Sequence, residues 1–485
     1  MMNSDKPHSR RQLTSAGRRE FLKASWTGFA SLSLAELYRL KALQAANTSG
    51  DEKKTGKERT AVILVWFRGG CSHLDSWDPK PDSPSEYRSP FQPIATNVPG
   101  MTITELLPRM AQIADRYSIL RSITHTGGGH PAGSLQVLGG DLDAADKTFP
   151  KIPDWMSIAH YLRSDQRKLL PNYIAVNPVD RYDSFTIAGP TTLGASYEPF
   201  KIFGDPSSPD FQIPNLGLDT GHTTDRFDSR MRLKQAFDRI QSTIDQSGMM
   251  DAIDHFEGQA LSLLTSPAAR EAFDLTREPT EVRERYGMHQ WGQQCLLARR
   301  LVEAGVEIIT TEFDGPLCGR VQNWDDHAVN QHIFEALPFR LPSVDQALSA
   351  LIEDIYARGL DKRVMVIATG EFGRTPRISH VASSGEGVAS RPAGTVQPGR
   401  DHWPAANSMI FAGGGIRTGQ VIGATNRLGE YPVERKVGPR DFIATIYRHL
   451  GIDYANTKIV DFAGRPTPIL EQGEAIPELT RHGIA

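Results

Sequence analysis

The 485-residue sequence contains only three cysteines, and no Cys-x-x-Cys pair occurs among them. This excludes the usual cysteine-based zinc and thiol redox motifs. No apolar run approaches the roughly 18 residues that a membrane-spanning helix needs. Basic and acidic residues nearly balance, and the formal net charge is −3. Such a charge does not favour nucleic acid or an acidic membrane surface as a partner.

The N-terminal segment, residues 1–46, has the composition of an export signal. Paired arginines in Gly17-Arg-Arg-Glu-Phe-Leu-Lys23 precede a weakly apolar stretch, and together they resemble a twin-arginine signal. An ordinary amphipathic helix is the alternative. We expect an exported protein, periplasmic or extracellular, with cleavage near Ala45-Ala46 and a charged linker at 47–59. Two of the three cysteines, Cys71, Cys295 and Cys318, could then pair, and the sequence does not choose between them.

Strand and helix patterns alternate through the rest of the chain. The continuous apolar run Ala61–Phe67 predicts a buried parallel strand that ends in the Gly69-Gly70 turn. An insertion rich in glycine, proline, serine and threonine is predicted to be irregular around 180–225. These patterns predict a three-layer α/β/α sandwich with a mostly parallel central sheet over 60–470, and a C-terminal tail at 471–485. Further strands are predicted at 118–123, 172–176, 306–313, 364–368 and 408–412, and helices at 104–117, 226–303, 343–358 and 439–450.

Acids and histidines follow several of the predicted strands. Glu371-Phe-Gly-Arg-Thr-Pro376 follows one strand directly, and Asn323-Trp-Asp-Asp-His327 and Asp401-His402 lie in other connections. In open α/β sheets, ligands bind outside the carboxyl ends of the strands. Carboxylates and imidazoles brought together there favour a divalent-metal site. Arg374, in a glycine turn, is a candidate for holding an oxyanion, and a structural salt bridge is the alternative.

Three C-terminal segments resemble the alkaline phosphatase and sulfatase superfamily: the strand and acid at 364–373, the glycine turn Phe411–Gly419, and the helix Asp441–Ile452. More closely, residues 55–470 resemble a bacterial family called domain of unknown function 1501. Its hallmarks here include Gly69-Gly-Cys-Ser-His-Leu-Asp75 and Glu371-Phe-Gly-Arg-Thr-Pro376. The resemblance implies an alkaline-phosphatase-like fold and the location of a site.

The resemblance also implies metal ligands, because the superfamily holds two divalent cations with carboxylates and histidines. Phe372 stands where active relatives carry a histidine, so the expectation is one or two ions, of zinc, manganese, calcium or magnesium. The implied ligands come from four segments: Asp325, His327 and His402 for the first ion, and Glu371, His73 and Asp75 for the second.

By the same resemblance, His130 falls where sulfatases carry their nucleophilic cysteine. The function implied is an exported metal-dependent hydrolase of phosphate or sulfate esters, in which a metal-bound water or His130 attacks. The substrate would be a small molecule or a polysaccharide. Because no Cys-x-Pro-Ser-Arg motif occurs, a typical sulfatase is not expected. The alternative is a non-catalytic, metal-stapled binding protein of the cell envelope.

Overall fold

One eight-stranded sheet forms the centre of the computed structural model, which describes residues 59–164, 170–213, 266–314, 323–387, 389–461 and 463–480. The strands run in the order β8-β2-β7-β6-β1-β5-β3-β4 across the sheet. In chain order they are β1 Ala61–Trp66, β2 Tyr117–Ile123, β3 Tyr173–Val176, β4 Phe200–Ile202, β5 Ile308–Glu312, β6 Val364–Thr369, β7 Asn407–Gly413 and β8 Gln420–Ile422.

The sheet is mostly parallel. β1 pairs in parallel with both β5 and β6, and the β5/β3, β3/β4 and β2/β8 pairs are parallel as well. Only β7 runs against its neighbours, β6 and β2. Because the central strands are parallel, the loops that follow β1, β5 and β6 leave the sheet at the same edge.

Helices cover both faces of the sheet, so the predicted three-layer α/β/α fold is confirmed. Buried side chains of α1 and α4–α7 pack on one face, and those of α2, α3 and α8 pack on the other. The helices are α1 Pro108–Gln112, α2 His130–Gly139, α3 Trp155–Arg163, α4 Pro267–Phe273, α5 Thr280–Tyr286, α6 Gln290–Glu303, α7 Ile333–Ala357 and α8 Pro439–Leu450.

The central strand β1 explains why its sequence is apolar at every position. All six residues of Ala-Val-Ile-Leu-Val-Trp are buried, and alternate side chains enter the two helical layers. A strand covered on both faces has no solvent-facing position for a polar residue. The predicted strand at this position is therefore confirmed.

Local capping signals set several helix ends. α8 starts at Pro439, and the Asp441 carboxylate accepts a hydrogen bond from the Gly438 N–H at 3.0 Å. It ends at Gly451, whose φ of +70° is left-handed. α4 starts after Ser266, whose hydroxyl accepts from the Ala269 N–H. The start of α8 was predicted from the sequence and is confirmed.

Two helix predictions are corrected. The helix predicted from 343 begins ten residues earlier, at Ile333, and holds Pro338 and Pro342 in its first turns. Burial of Leu337 and Leu341 offsets the backbone hydrogen bonds that these prolines remove. The helix predicted at 104–117 is shorter, because Thr102–Thr104 is a strand and Pro108 begins α1.

Short two-stranded ladders lie around the sheet. They are Pro93–Ala95 with Thr102–Thr104, Arg181–Tyr182 with Phe185–Thr186, Gly373–Arg374 with His402–Trp403, Ser379–Ala382 with Val396–Gly399, Ala424–Thr425 with Pro432–Glu434, and Lys458–Val460 with Pro466–Pro468. Of the insertion predicted around 180–225, the described part reaches residue 213 and contributes β4 to the sheet edge.

Several predictions fall outside the described residues: the export signal at 1–46, all of the linker except Arg59, the helical pattern at 226–265, Cys318 and the tail beyond 480. Cys71 and Cys295 are buried free thiols. Within the described part of the chain, no helix has the length and hydropathy that a bilayer crossing requires.

Candidate metal centre

A glycine turn after β1 brings three loops together. Gly69 and Gly70 have φ values of +103° and +83°, in the region that favours glycine. A Cβ on Gly69 would lie 2.6 Å from the Asp325 amide nitrogen, and one on Gly70 would lie 2.5 Å from the Phe372 carbonyl oxygen. The turn therefore needs glycine at both positions for the loops around Asp325 and Phe372 to approach this closely.

Four candidate side chains reach this point from three parts of the chain. His130 is the first residue of α2, and Asp325 and His327 lie in the connection before α7. The ladder that follows β6 places His402 directly opposite Arg374. All four therefore sit beyond the carboxyl ends of the central strands, as the sequence predicts.

One oxygen, Asp325 Oδ1, is the meeting point of three imidazoles. Its distances to the Nε2 atoms of the histidines are 3.0 Å for His327, 3.1 Å for His402 and 3.3 Å for His130. The Nε2 atoms of His327 and His402 are only 2.9 Å apart. The sequence predicted three of these four groups as ligands of one ion and placed His130 elsewhere.

The other ring nitrogen of each histidine has its own acceptor. His130 Nδ1 donates to Glu371 Oε1 at 2.7 Å, and His327 Nδ1 donates to Asp401 Oδ1 at 2.6 Å. His402 Nδ1 donates to the Gly128 carbonyl at 2.8 Å. Since carbonyl and ionised carboxylate oxygens only accept, each Nδ1 carries the proton. When a ring is neutral, its lone pair is therefore on Nε2, facing Asp325.

This donor set fits a divalent cation. Two imidazole lone pairs 2.9 Å apart repel each other unless a proton or cation lies between them. His130 Nε2 is buried and makes no hydrogen bond, although Asp325 Oδ1 is 3.3 Å away. Tetrahedral zinc with bonds of about 2.0–2.1 Å to nitrogen and oxygen would separate its ligands by roughly 3.3 Å. The ligand atoms of His130, Asp325 and His402 all lie within 4.8 Å of one another, so these three residues could hold one ion.

The carboxylate also shifts the pKa values of its partners. Burial alone would raise the pKa of Asp325, but the three histidines and the Arg374 charge hold it well below its ordinary range. Burial lowers the pKa of His130 and His327, yet the neighbouring carboxylates outweigh burial and both pKa values lie above normal. For His402, burial and the nearby Arg374 charge prevail, and the pKa is lowered. The lowered pKa means that Asp325 carries a negative charge at neutral pH.

The guanidinium of Arg374 makes its hydrogen bonds to other protein groups and does not face solvent. Its side chain is fully buried, and its Nε donates to the Gly70 carbonyl at 3.1 Å. Nη2 donates to the Gly69 carbonyl and to Asp325 Oδ1, the latter at 2.8 Å, and Nη1 donates to the Arg400 carbonyl at 3.3 Å. These contacts differ from the oxyanion clamp that the sequence suggested, and they match its salt-bridge alternative. The guanidinium orients Asp325 and fixes the glycine turn.

Glu371 is hydrogen-bonded to the candidate ligand His130 and is not itself one of the groups around Asp325 Oδ1. It is fully buried, and Oε1 accepts from the Gly69 N–H at 2.9 Å as well as from His130. Its Oε2 has no hydrogen-bond partner. The carboxylate therefore links the glycine turn to the first residue of α2.

The structure does not bring His73 and Asp75 into the cluster. His73 is buried, and its Nε2 contacts the Gly429 carbonyl at 2.9 Å. Asp75 is buried in an ion pair with Arg400, with Oδ2 2.8 Å from Nε, and also accepts from the Ser72 hydroxyl. Hydrogen bonding and ion pairing within the protein therefore explain the burial of Asp75 and of one ring nitrogen of His73. The sequence motif Gly-Cys-Ser-His-Leu-Asp did not distinguish such roles from metal ligation.

Sequence reasoning missed a buried ion pair beneath the ligand loop. Arg340 of α7 and Asp326 are both fully buried, and the guanidinium donates to Asp326 Oδ1 and to the Asn323 carbonyl. It also lies 4.7 Å from the centre of the Trp324 ring. Asp326 separates Asp325 from His327, so this pair fixes the backbone between two members of the cluster. No spacing rule links Arg340 to the loop before the fold is known.

Aromatic rings enclose the inner side of the cluster. Tyr182 stacks on His130 with ring centres 3.9 Å apart and planes 11° apart. Phe372 lies 4.5 Å from the His402 ring and 5.2 Å from the His130 ring. Arg68 covers Tyr182, at 4.6 Å from its centre. Tyr182 sits in the glycine- and proline-rich insertion, where the sequence offered no signal.

The fold and the site together define a three-layer α/β/α protein with a candidate cation centre at the carboxyl ends of its strands. The chain belongs to the family described as Protein of unknown function (DUF1501), whose model matches residues 59–480. That span contains every member of the cluster. No curated protein matches the sequence significantly.

Solved structures give distant likenesses. The chain is similar to PsFucS1 sulfatase from Pseudoalteromonas sp., at 11% identity, with 86% of this chain and 72% of that chain covered and a TM-score of 0.33. It is also similar to the zinc complex of the C-terminal periplasmic domain of EcEptC from Escherichia coli, at 10% identity, 83% and 85% coverage and a TM-score of 0.35. Likenesses this remote carry no argument about function.

Proposed function

We propose that the protein is an exported metal-dependent hydrolase of phosphate or sulfate esters that works with a single cation centre. The observation that carries the proposal is the convergence of three Nε2 atoms on Asp325 Oδ1 within 3.3 Å. The ester class comes from the superfamily motifs in the sequence. Export comes from the twin-arginine pattern, and the substrate would be a small molecule or a polysaccharide.

The residues that would hold the cation are His130, Asp325 and His402, and His327 lies beside them with its Nε2 2.9 Å from that of His402. A divalent cation bound there would supply Lewis acidity, which polarises an ester oxygen and lowers the pKa of a water molecule. The donor set of nitrogen and carboxylate suits zinc better than manganese, calcium or magnesium, which prefer oxygen ligands. His130 is thereby proposed as a ligand, in place of the nucleophile role that the sequence suggested.

The surrounding residues would orient this centre. Arg374 holds Asp325, Glu371 holds the His130 ring, and the Gly128 carbonyl holds the His402 ring. Tyr182 and Phe372 exclude water from the inner side. The outer side is open, because the side chains of His327 and His402 are 23% and 21% exposed. An ester group would approach from that side.

One observation favours a second candidate function. Arg374, the candidate for holding a substrate oxyanion, is fully buried. In the second candidate the cation staples three parts of the chain, and the protein binds an envelope partner without turnover. The guanidinium of Arg374 is used up by protein contacts, which agrees with this candidate.

The test combines metal content with turnover. Purified protein, folded with native metal loading, is analysed by elemental mass spectrometry and assayed on p-nitrophenyl phosphate and p-nitrophenyl sulfate. We expect one divalent ion per chain and hydrolysis of at least one ester, with both lost in Asp325→Asn. The matched control is His380→Ala, a histidine exposed on a surface hairpin, which should keep both.

The outcomes separate the candidates. Protein without a bound divalent ion contradicts the proposed centre. An ion that Asp325→Asn removes, with neither ester hydrolysed, supports the metal-stapled binding protein instead. Turnover that survives removal of the ion would refute the hydrolase as proposed.

A further inference from the structure

A cavity of about 420 Å³ lies beside β3 and β4, outside the cluster around Asp325. Its walls come from the segments 149–154, 178–191 and 195–201, together with Tyr173 of β3 and Lys201 of β4. Pockets that hold small ligands in proteins measure roughly 300–1,000 Å³. The cavity therefore has the size of a ligand site, and the proposed cation centre makes no use of it.

Hydrogen bonds join the walls of the cavity to one another. The Thr186 N–H donates to the Thr148 carbonyl at 3.0 Å, and the Gly189 N–H donates to Asp154 Oδ2 at 2.6 Å. The Asp154 N–H donates back to the Gly189 carbonyl. Thr191, another wall residue, has a φ of +43°, a strained conformation that clusters at binding sites when a β-branched residue adopts it. The cavity is therefore a formed part of the fold.

One wall carries an ammonium group between two carboxylates. Lys201 Nζ lies 2.8 Å from Asp180 Oδ2 and 3.0 Å from Glu198 Oε2. An ammonium has three N–H groups, one more than these contacts use, and each carboxylate can accept further hydrogen bonds. The two carboxylates would repel an anionic ligand, and Lys201 already holds the place that a cationic ligand would take. Hydroxyl groups both donate and accept, so they match this wall.

An apolar wall faces the ligand as well. Phe149, Pro150, Pro178 and Pro190 line the cavity, and 67% of Phe149 is exposed. An aromatic ring offers a flat apolar surface at low entropic cost. A sugar ring has C–H groups on its faces and hydroxyl groups at its edges. A neutral sugar therefore matches the apolar wall and the charged wall at the same time.

One hairpin separates this cavity from the cation centre. It pairs Arg181–Tyr182 with Phe185–Thr186. Arg181 and Thr186 line the cavity, whereas the Tyr182 ring stacks on His130 of the centre. Successive side chains of a strand point to opposite faces, so the cavity and the centre lie on the two sides of the hairpin. A ligand in the cavity would therefore lie one hairpin away from the centre.

We propose that this cavity binds a neutral sugar unit of a glycan. The sugar hydroxyls bond to Asp180, Glu198 and Lys201, and one face of the sugar ring packs on Phe149. The inference goes beyond the proposed function, because binding in the cavity requires neither the cation nor turnover. If the protein is a hydrolase, the cavity favours a polysaccharide over a small molecule as the carrier of the ester group.

The first part of the test measures binding by saturation-transfer nuclear magnetic resonance, with cellotetraose, maltotetraose, mannotetraose and galactotetraose as probes. We expect wild type to bind at least one of them. Phe149→Ala should weaken this binding roughly tenfold, because the sugar loses its apolar surface. Glu198→Gln should weaken it severalfold. The matched control is Phe203→Ala, which removes a phenylalanine that is 62% exposed and lies outside the cavity.

The second part separates the cavity from the centre and tests the charge argument. Asp325→Asn, which alters the centre, should bind the saccharide as wild type does. The form of the saccharide oxidised at C6, in which a carboxylate replaces each hydroxymethyl group, should bind more weakly. Circular dichroism shows whether each variant is folded, and Phe149→Leu replaces Phe149→Ala if that variant is not.

Four outcomes would overturn the inference: no binding of any of the four saccharides, full binding by folded Phe149→Ala, loss of binding in Asp325→Asn, and equal affinity for the oxidised form. A protein that binds the saccharide through Phe149 but hydrolyses no ester would contradict the proposed function alone. The failure of either proposal is therefore recognised separately.

Discussion

The buried ion pair between Arg340 and Asp326 makes a sharp prediction about the ligand loop. Replacing Arg340 with leucine leaves Asp326, which is fully buried, without its cation. Removing one partner of a buried pair costs about 3–5 kcal/mol, because the other charge stays desolvated. The Asn323 carbonyl also loses a donor, which adds about 1–3 kcal/mol if water does not replace it. These terms share one cause and do not add fully, so we expect a loss of about 3–5 kcal/mol.

The assay is guanidinium unfolding of Arg340→Leu, of Asp326→Leu and of the double variant, each with a chelator present so that metal binding does not contribute. The double variant removes both charges, and it should recover a large part of the lost stability. Metal content of the single variant should fall, since Asp326 separates Asp325 from His327. A single variant as stable as wild type, or a double variant no better than Arg340→Leu, would refute this reasoning.

Two further predictions concern residues near the centre. His73→Gln should keep the full metal content, measured by elemental mass spectrometry, because His73 contacts the Gly429 carbonyl and not the cluster; loss of the ion would restore the ligand role that the sequence suggested. Burial lowers the pKa of His73 from its ordinary 6.5 to about 4 in the folded protein. As the pH falls, the unfolded chain therefore binds a proton at this residue before the folded protein does. Between pH 6.5 and 4 the free energy of unfolding of wild type should fall by up to about 3 kcal/mol more than that of His73→Gln. Gly69→Ala should lower both the metal content and the free energy of unfolding, the latter by at least about 1–3 kcal/mol. The reason is that φ is +103° and the added Cβ would lie 2.6 Å from the Asp325 amide nitrogen. A thermal melt and a metal content equal to those of wild type would contradict this.

The sequence predicted the layers of the fold because it contains a strand that is apolar at every position and helices that carry capping residues. β1 and α8 are examples, and both depend only on neighbours along the chain. The start of α7 could not be predicted in this way. Its two prolines signal a helix end locally, while the burial that overrides them comes from contacts made elsewhere in the fold.

The sequence likewise pointed to some residues of the candidate centre and not to others. Asp325, His327 and His402 carry acid and imidazole in short motifs, so a spacing rule found them. The role of His130 depends on where α2 starts relative to a loop almost 200 residues further along the chain. His73 and Asp75 have the right chemistry for ligands, yet the fold buries them against Gly429 and Arg400. The type of a residue can suggest that it is a metal ligand, but contacts between distant parts of the chain decide whether it reaches the site.

Arg374 offers the clearest way to separate a binding role from a structural one. Its guanidinium makes four hydrogen bonds to the protein, to the carbonyls of Gly69, Gly70 and Arg400 and to Asp325. Lysine keeps the charge but cannot reproduce this planar fork. If Arg374 orients the centre, Arg374→Lys should lower both stability, by about 1–3 kcal/mol for acceptors left unpaired, and the affinity for Co²⁺.

The alternative role predicts the opposite pattern. An arginine that binds only the substrate oxyanion would leave metal affinity and unfolding unchanged when replaced by lysine, and KM or phosphate affinity alone would weaken. Measuring Co²⁺ affinity and the unfolding midpoint of Arg374→Lys without any substrate therefore decides between the two roles. We expect both to fall, because Asp325 Oδ1 would lose the donor that lies 2.8 Å away and holds it toward the three histidines.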